Sequence, residues 1–296
     1  MPSHVLVPVD GSDHGFGGLE YALESFPDAT HTALYVVDPG HDHLVSGEAG
    51  ETPPERAEQR GKRILERAAD RGADRNRSIQ TTLRTGSPHS EILEVAADED
   101  VDHVVMGSHG TSPITRPFLG RVSEAVIRRA PVSTTVVPEA EAAIRTRTLP
   151  GSVLVPVDGS EQSLAALRYA LETFPTGDHT VVHVLGISLD DPLEAIQGTY
   201  LEELVSDLER RGETVLSSAT DVAADVGVDV ETDTAIGKPA TEIVEYAEAG
   251  DFDQLVMGSH GRSLAARLVT GSVAERVARR SSRTVTLVRG SPAARE

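Results

Sequence analysis

The sequence predicts an α/β fold built twice: two tandem, doubly wound domains, each around a five-stranded parallel sheet. Three observations carry this. The block Val5-Leu6-Val7-Pro8-Val9-Asp10-Gly11-Ser12 recurs unchanged as Val153-Leu154-Val155-Pro156-Val157-Asp158-Gly159-Ser160, and Val105-Met106-Gly107-Ser108-His109-Gly110 recurs as Val256-Met257-Gly258-Ser259-His260-Gly261. The offsets are 148 and 151 positions, so the halves stay in register apart from a net three-residue insertion, the mark of a duplicated domain. Second, short β-branched runs alternate with longer stretches of helical periodicity throughout both halves. Third, the strands are continuously apolar rather than alternating, as in a parallel sheet covered on both faces.

In the first half the predicted strands are Val5–Val9, Thr32–Val37, Ile79–Arg84, His103–Met106 and Val132–Val137. The intervening helices are Gly15–Ser25, Pro54–Arg71, Ser90–Ala97 and Val122–Arg129. The second half repeats the order, with strands near Val153–Val157, Thr180–Leu185, Asp229–Ala235, Gln254–Met257 and Arg283–Val288. Gly86-Ser87-Pro88 and Gly237-Lys238-Pro239 occupy equivalent turns. A chain of 296 residues suits two domains at about 100–200 residues each. The predicted boundaries are 1–138 and 152–290, with a short tail over 291–296. Between the domains, residues 139–151 read as a linker: Glu, Ala, Arg and Thr replace the apolar pattern, and Pro150-Gly151 marks a turn.

Composition narrows the function. With no cysteine there is no disulfide, thiol nucleophile, Cys-ligated zinc or iron–sulfur cluster. A net charge of -20 argues against a nucleic-acid binder, since phosphate backbones need Lys and Arg. No apolar run reaches the roughly 18 residues of a membrane span, and Met1-Pro2-Ser3-His4 leads into the first strand without a basic segment, so a soluble, cytoplasmic protein is expected. Lys62 and Lys238 are the only lysines, and the other bases are arginine. Lysine scarcity with acid excess reads as adaptation to concentrated salt, where long-range repulsion is screened; the plainer alternative is an acidic protein of ordinary habitat.

In doubly wound sheets, ligands sit beyond the carboxyl ends of the strands, where strand order reverses. Both repeated blocks fall at such ends. Asp10 and Asp158 close the first strand, and the Gly-Ser-His-Gly turns close the fourth. In the second half, nine residues separate Gly261 from Gly271-Ser272, which opens a helix. Glycines there let backbone N–H groups approach an anion, and a helix start adds free donors: a phosphate cradle in outline. The alternatives are a plain strand-end turn and an N-cap role for Ser272. Arg262 and Arg267 are positioned to reach phosphates, whereas Arg276, Arg279, Arg280 and Arg283 suit the helix C-terminus or a packing surface. Asp10 and Asp158 can accept hydrogen bonds from a ribose or an adenine amino group; Asp-Gly-Ser is also a common capping turn.

On these residues the chain resembles a tandem universal stress protein. The likeness spans nearly the whole chain and rests on Val-Pro-Val-Asp-Gly-Ser, Gly-x-Pro before the third helix, and Gly-x2-Gly-x9-Gly-Ser, a signature of the ATP-binding branch. It implies a Rossmann-like strand order 3-2-1-4-5 and ATP across strands one and four; a Mg²⁺ held by the phosphates belongs to the alternative of a weak ATPase. The implied second-half site is Asp158, Val184, Met257, Gly258, His260, Gly261, Gly271, Ser272 and Val273, with Val184 read at the adenine, and Arg262 joins it on the ground of local charge. The first-half counterparts are Asp10, Val36, Met106, Gly107, His109, Gly110, Gly120 and Arg121. There the signature departs, since Arg121 stands where the second half has Ser272, and Pro113 and Pro117 stiffen the loop. The second half is therefore expected to be the better site. Domain pairing through the fifth strands, made internally by a tandem chain, is a further implication of the resemblance; a homodimer of the two-domain chain is the alternative beside it.

No Walker A or dinucleotide fingerprint is present, because neither lysine follows Gly-x4-Gly and Glu20 breaks the run from Gly15. His109 and His260 are the candidate general bases, without a fixed-spacing carboxylate partner. Asp38, His41, Asp42 and His43 superficially resemble a metal site but read as a solvated loop. A non-catalytic, ATP-binding regulatory or stress-response protein is the leading expectation. A slow ATP hydrolase or phosphotransfer switch, and an interaction scaffold with vestigial pockets, are the alternatives.

Overall fold

A computed structural model describes residues 1–40, 52–98, 100–110, 119–146, 148–186, 199–260 and 270–290. They divide into two compact units, Met1–Leu149 with Thr270 and Ala278–Thr286, and the remainder from Pro150 onward. The first repeat runs β1 (His4–Pro8), α1 (Asp13–Ser25), β2 (Thr30–Val37), α2 (Pro53–Ala73), β3 (Ile79–Thr85), α3 (Pro88–Asp98), β4 (His103–Gly107), α4 (Arg121–Arg129) and β5 (Ser133–Val137). A short α5 (Glu141–Ile144) follows. The second repeat runs β6 (Ser152–Pro156), α6 (Glu161–Thr173), β7 (Asp178–Leu185), α7 (Thr199–Val226), β8 (Glu231–Ile236), α8 (Pro239–Ala249), β9 (Gln254–Gly258), α9 (Ser272–Arg280) and β10 (Thr284–Val288).

The strand order is β3-β2-β1-β4-β5 in the first repeat and β8-β7-β6-β9-β10 in the second. The pairings β1–β2, β1–β4, β2–β3 and β4–β5 are all parallel, as are β6–β7, β6–β9 and β7–β8. This is the doubly wound 3-2-1-4-5 order in each repeat. Right-handed crossovers toward β3 set α1 and α2 on one face, and the reversal to β4 sets α3 and α4 on the other. Accordingly α1 packs against α2, and α3 against α4. The reversal lies between β1 and β4, and its equivalent between β6 and β9.

The central strands carry the core. Val5, Leu6 and Val7, like Val153, Leu154 and Val155, are fully buried, covered on both faces as their apolar runs predict. Helix starts are capped by the serine of each Asp-Gly-Ser turn: Ser12 Oγ accepts from Gly15 N–H at 3.0 Å and Ser160 Oγ from Ser163 N–H at 3.2 Å. Such caps stabilise a helix by about 1 kcal/mol, and α1 accordingly starts at Asp13 rather than Gly15. Within 139–151, read from sequence as a linker, α5 packs on α1 and Ile144 is only 3% exposed.

The fourth strand begins with a buried polar residue in both repeats, His103 and its counterpart Gln254, each fully inaccessible. His103 Nε2 lies 2.8 Å from Thr135 Oγ1. Gln254 instead donates from Nε2 to the Pro150 carbonyl at 3.0 Å. Burial pushes the His103 imidazole down to about 3, so it is neutral in the fold.

Candidate functional site

Adjacency of β1 and β4 brings the two repeated blocks together. β1 and β4 pair from Val5↔His103 and Leu6↔Val104, and β6 and β9 from Val153↔Gln254 and Leu154↔Leu255. The chain beyond Pro8 and the turn beyond Gly107 therefore emerge side by side. Their contact is close: a Cβ on Gly107 would lie 2.5 Å from the His14 carbonyl oxygen, and one on Gly110 would overlap the Asp10 carboxylate. In the second repeat a Cβ on Gly258 would sit 2.9 Å from the Gln162 carbonyl oxygen. The absence of side chains here lets a strand-end turn and a helix start share one small space.

Asp10 performs the capping-turn role that the sequence left open against ligand contact. Its Oδ1 accepts from Ser12 N–H at 3.0 Å and from Ser12 Oγ–H at 2.5 Å. Asp158 accepts from Ser160 with the same two distances. One carboxylate oxygen in each repeat thus fixes the Asp-Gly-Ser turn. In the first repeat the other, Oδ2, faces Gly110.

Ser108 and Ser259, which the sequence treated only as members of the turn, fasten the site together. Ser108 is 1% exposed, donates its N–H to the Val137 carbonyl at 2.8 Å, and accepts from Gly120 N–H at 2.7 Å. Ser259 donates to the Val288 carbonyl at 3.0 Å and accepts from Gly271 N–H at 2.7 Å. These bonds draw the starts of α4 and α9 onto the fourth-strand turns. Glu124 N–H bonds to the Gly120 carbonyl and Glu275 N–H to the Gly271 carbonyl, so glycine occupies the cap of each helix. Gly120 at the cap of α4 brings no side chain to the first-turn donors. Ser272 therefore lies inside the first turn of α9 rather than at its cap, and its exposed hydroxyl makes no hydrogen bond among the described residues.

Both candidate histidines are held by the neighbouring serine, His109 Nδ1 at 2.9 Å from Ser108 Oγ and His260 Nδ1 at 2.8 Å from Ser259 Oγ. The His109 ring also meets the His14 ring edge-on at 5.8 Å. On the far side of His260, Nε2 accepts from Arg289 Nη1 at 3.4 Å. A guanidinium donor at Nε2 leaves the ring proton on Nδ1, donated to Ser259. Burial lowers the Arg289 pKa from its ordinary value. Comparison of the repeats could not have found Arg289, because its counterpart is Pro138; Ser108 and Ser259 did carry a signal, as members of an unchanged block.

Other predicted residues fall into place around this centre. Val36 and Val184 are half-buried and lie two residues beyond the partners of Pro8 and Pro156, Leu34 and Val182. Both thus stand beside Asp10 and Asp158 at the strand ends. Met106 and Met257 are 4% and 6% exposed, so their side chains belong to the core and only their main chain faces the turn. Val273 is half-buried in the first turn of α9. Arg121 is exposed in the first turn of α4, a cation at the positive end of the helix dipole. Arg279 and Arg280 occupy the last turn of α9, where a cation is favourable. Gly261, Arg262 and Arg267 lie outside the described residues, as do His41, Asp42 and His43. Among the described residues no group of three His, Asp or Glu could hold a metal, and no helix is long and apolar enough to cross a membrane.

Known proteins share this architecture. The sequence pattern of the universal stress protein family matches residues 1–138 and 151–289. A universal stress protein of Mycolicibacterium smegmatis is 27% identical over 295 residues, covering 96% of each chain. One from Methanocaldococcus jannaschii is 34% identical over 140 residues, 46% of this chain and 81% of that one. Among solved structures, a universal stress protein from Archaeoglobus fulgidus shares the fold with a TM-score of 0.66 at 24% identity, covering 97% of this chain and 98% of that one. With the family pattern matched twice, once per repeat, the chain belongs to the universal stress protein family.

Proposed function

We propose that this protein is an adenine-nucleotide-binding regulatory or stress-response protein, with ATP held at the strand-end crevice and the second repeat the better site. One observation carries the reading: in each repeat a glycine-capped helix start is tied onto the fourth-strand turn, Gly120 to Ser108 and Gly271 to Ser259, beside the first-strand aspartate turn. Such a start offers N–H donors and the positive end of a dipole to phosphate.

In this reading the first-turn N–H groups of α9 and the exposed Ser272 hydroxyl hold phosphate oxygens, with Arg262 adding charge. Asp158 accepts from the sugar or base, the main chain at Val184 reads the adenine edge, and Met257, Gly258, His260, Gly261 and Val273 form the walls. Mg²⁺ travels with the phosphates. The first repeat offers Asp10, Val36, Met106, Gly107, His109, Gly110 and Gly120, but Arg121 replaces the hydroxyl. Losing a hydrogen bond to a charged group weakens binding by about 1.5–3 kcal/mol. His260 works here as a positioned wall, since its Nδ1 and Nε2 are engaged by Ser259 and Arg289. The nucleotide is then an effector whose binding orders the surrounding loops rather than a substrate.

The test is titration calorimetry of ATP into the full chain and into Gly271→Val and Gly120→Val variants. Loss of the tighter binding step in Gly271→Val is expected, and loss confined to Gly120→Val refutes the assignment. The same reading carries a cytoplasmic, salt-adapted chain that does not bind nucleic acid and pairs with a second copy, which light scattering after size exclusion reads directly.

A further inference from the structure

The first unit holds a concentration of arginine that the strand-end crevice does not use. In a chain with 27 bases and 47 acids, α2 has six bases and four acids, whereas its counterpart α7 has two bases and seven acids. With Gly61 and Gly212 in register, Arg60 keeps a counterpart in Arg211, but Arg63 and Arg67 become Thr214 and Ser218, so the three-arginine face belongs to one repeat and not to the shared fold.

Some of these arginines have internal partners. Arg71 and, just beyond α2, Arg75 pair with the carboxylate of Glu20, which is 1% exposed. Arg67 lies 4.4 Å over the ring of Phe16, as Arg71 does at 4.5 Å. Arg60 and Arg63 have no carboxylate partner among the described residues. The spacing 60, 63 and 67 puts all three side chains on one helix face.

That face borders an open surface hollow of about 300 Å³ lined by Gly11, Arg60, Arg63, Ile64 and Arg67. This is the volume of about ten waters, room for a ligand of a few phosphate groups. Gly11 has φ +86°, and a Cβ there would lie 2.8 Å from Ile64 Cδ1, so the β1–α1 turn meets α2 with bare backbone. Three like charges around one hollow repel one another, and a compact anion of high charge relieves that repulsion. Guanidinium forks match phosphate oxygens in pairs, and Arg67 is already oriented by its stacking on Phe16.

We propose that Arg60, Arg63 and Arg67, around the Gly11 turn, form an oxyanion site that takes a compact ligand bearing at least two phosphate groups. It borders the first-repeat crevice through Gly11, next to Asp10, but is walled by α2 rather than by the fourth-strand turn, and it does not rest on the nucleotide reading. Inorganic polyphosphate and phosphorylated metabolites share this chemistry.

The experiment is calorimetric titration of tripolyphosphate, and separately of a sugar bisphosphate, into the full chain. The salt is the lowest KCl concentration at which circular dichroism shows it folded. The variant Arg60→Gln/Arg63→Gln is compared with Arg210→Gln/Arg211→Gln on α7, which removes the same charge elsewhere. At least a tenfold loss of affinity confined to the α2 pair is expected for one or both ligands, and which ligand responds identifies the source. Equal weakening in both pairs, meaning long-range charge alone, overturns the proposal, as does no arginine-dependent binding of either ligand. Should the α2 pair melt abnormally, Arg63→Gln alone, at an exposed position, carries the same test with a smaller loss.

Discussion

His103 makes the stability of this protein depend on pH in a way that can be worked out from one side chain. It is fully buried at the start of β4, and burial holds its pKa at about 3 against an ordinary 6.5. In the unfolded chain the imidazole takes up a proton below pH 6.5, whereas the folded protein keeps it neutral down to about 3. The unfolded state therefore binds more protons, and stability falls as pH drops through that window, by about 1.4 kcal/mol per unit once well below 6.5. At pH 5 the loss from this residue is about 2 kcal/mol. Gln254 occupies the same position in the second repeat, equally buried, so His103→Gln imports a side chain the fold already accepts there. Urea unfolding at pH 7.5, 6 and 5, above most carboxylate titration, is expected to show the wild type losing stability and His103→Gln losing about 2 kcal/mol less. His31 and His179 also have burial-lowered pKa values and leave a residual slope in the variant. A wild type with flat stability over this range, or a variant with an unchanged slope, refutes the reasoning.

Other outcomes follow from named contacts. Removing Arg71 and Arg75 together takes two cations from the buried Glu20 carboxylate and is expected to destabilise by about 3 kcal/mol, whereas Glu20→Gln, which removes the buried charge and leaves two partly exposed arginines, costs less. Thermal unfolding of both variants checks the order, and the reverse order contradicts it. Gly107→Ala sets a Cβ 2.5 Å from a backbone oxygen that cannot swing aside, so a loss of about 1–3 kcal/mol is expected in the same assay, with wild-type stability excluding the packing described. If the acid excess is adaptation to salt, stability against chemical unfolding is higher in multimolar KCl than in dilute buffer, and equal stability in both removes that reading.

How far these features could be read in advance depends on which residues carry them. β1 and β6 were legible because Val5–Val7 and Val153–Val155 are apolar on both faces and sit in a repeated block. The 3-2-1-4-5 order came through family resemblance, since no local pattern encodes which strands pair. Residues 139–151 looked like a linker because their composition is polar and alanine-rich; a single buried residue, Ile144, is too short a signal to reveal packing against α1. At the site, glycine spacing disclosed the turn and the helix start. It could not disclose that Asp10 spends one oxygen on Ser12, because capping and ligand contact ask for the same residue type. Arg289 was invisible for a different reason: its contact with His260 is made in three dimensions across 29 residues and has no copy in the first repeat.

The central claim, an adenine nucleotide held at the strand-end crevices, is tested most directly by native mass spectrometry of the full chain. The protein is purified at high salt and measured before and after incubation with ATP. The account predicts mass increments of one or two adenine nucleotides per chain, the first of them lost in Gly271→Val. A chain that stays at its bare mass in both measurements contradicts it.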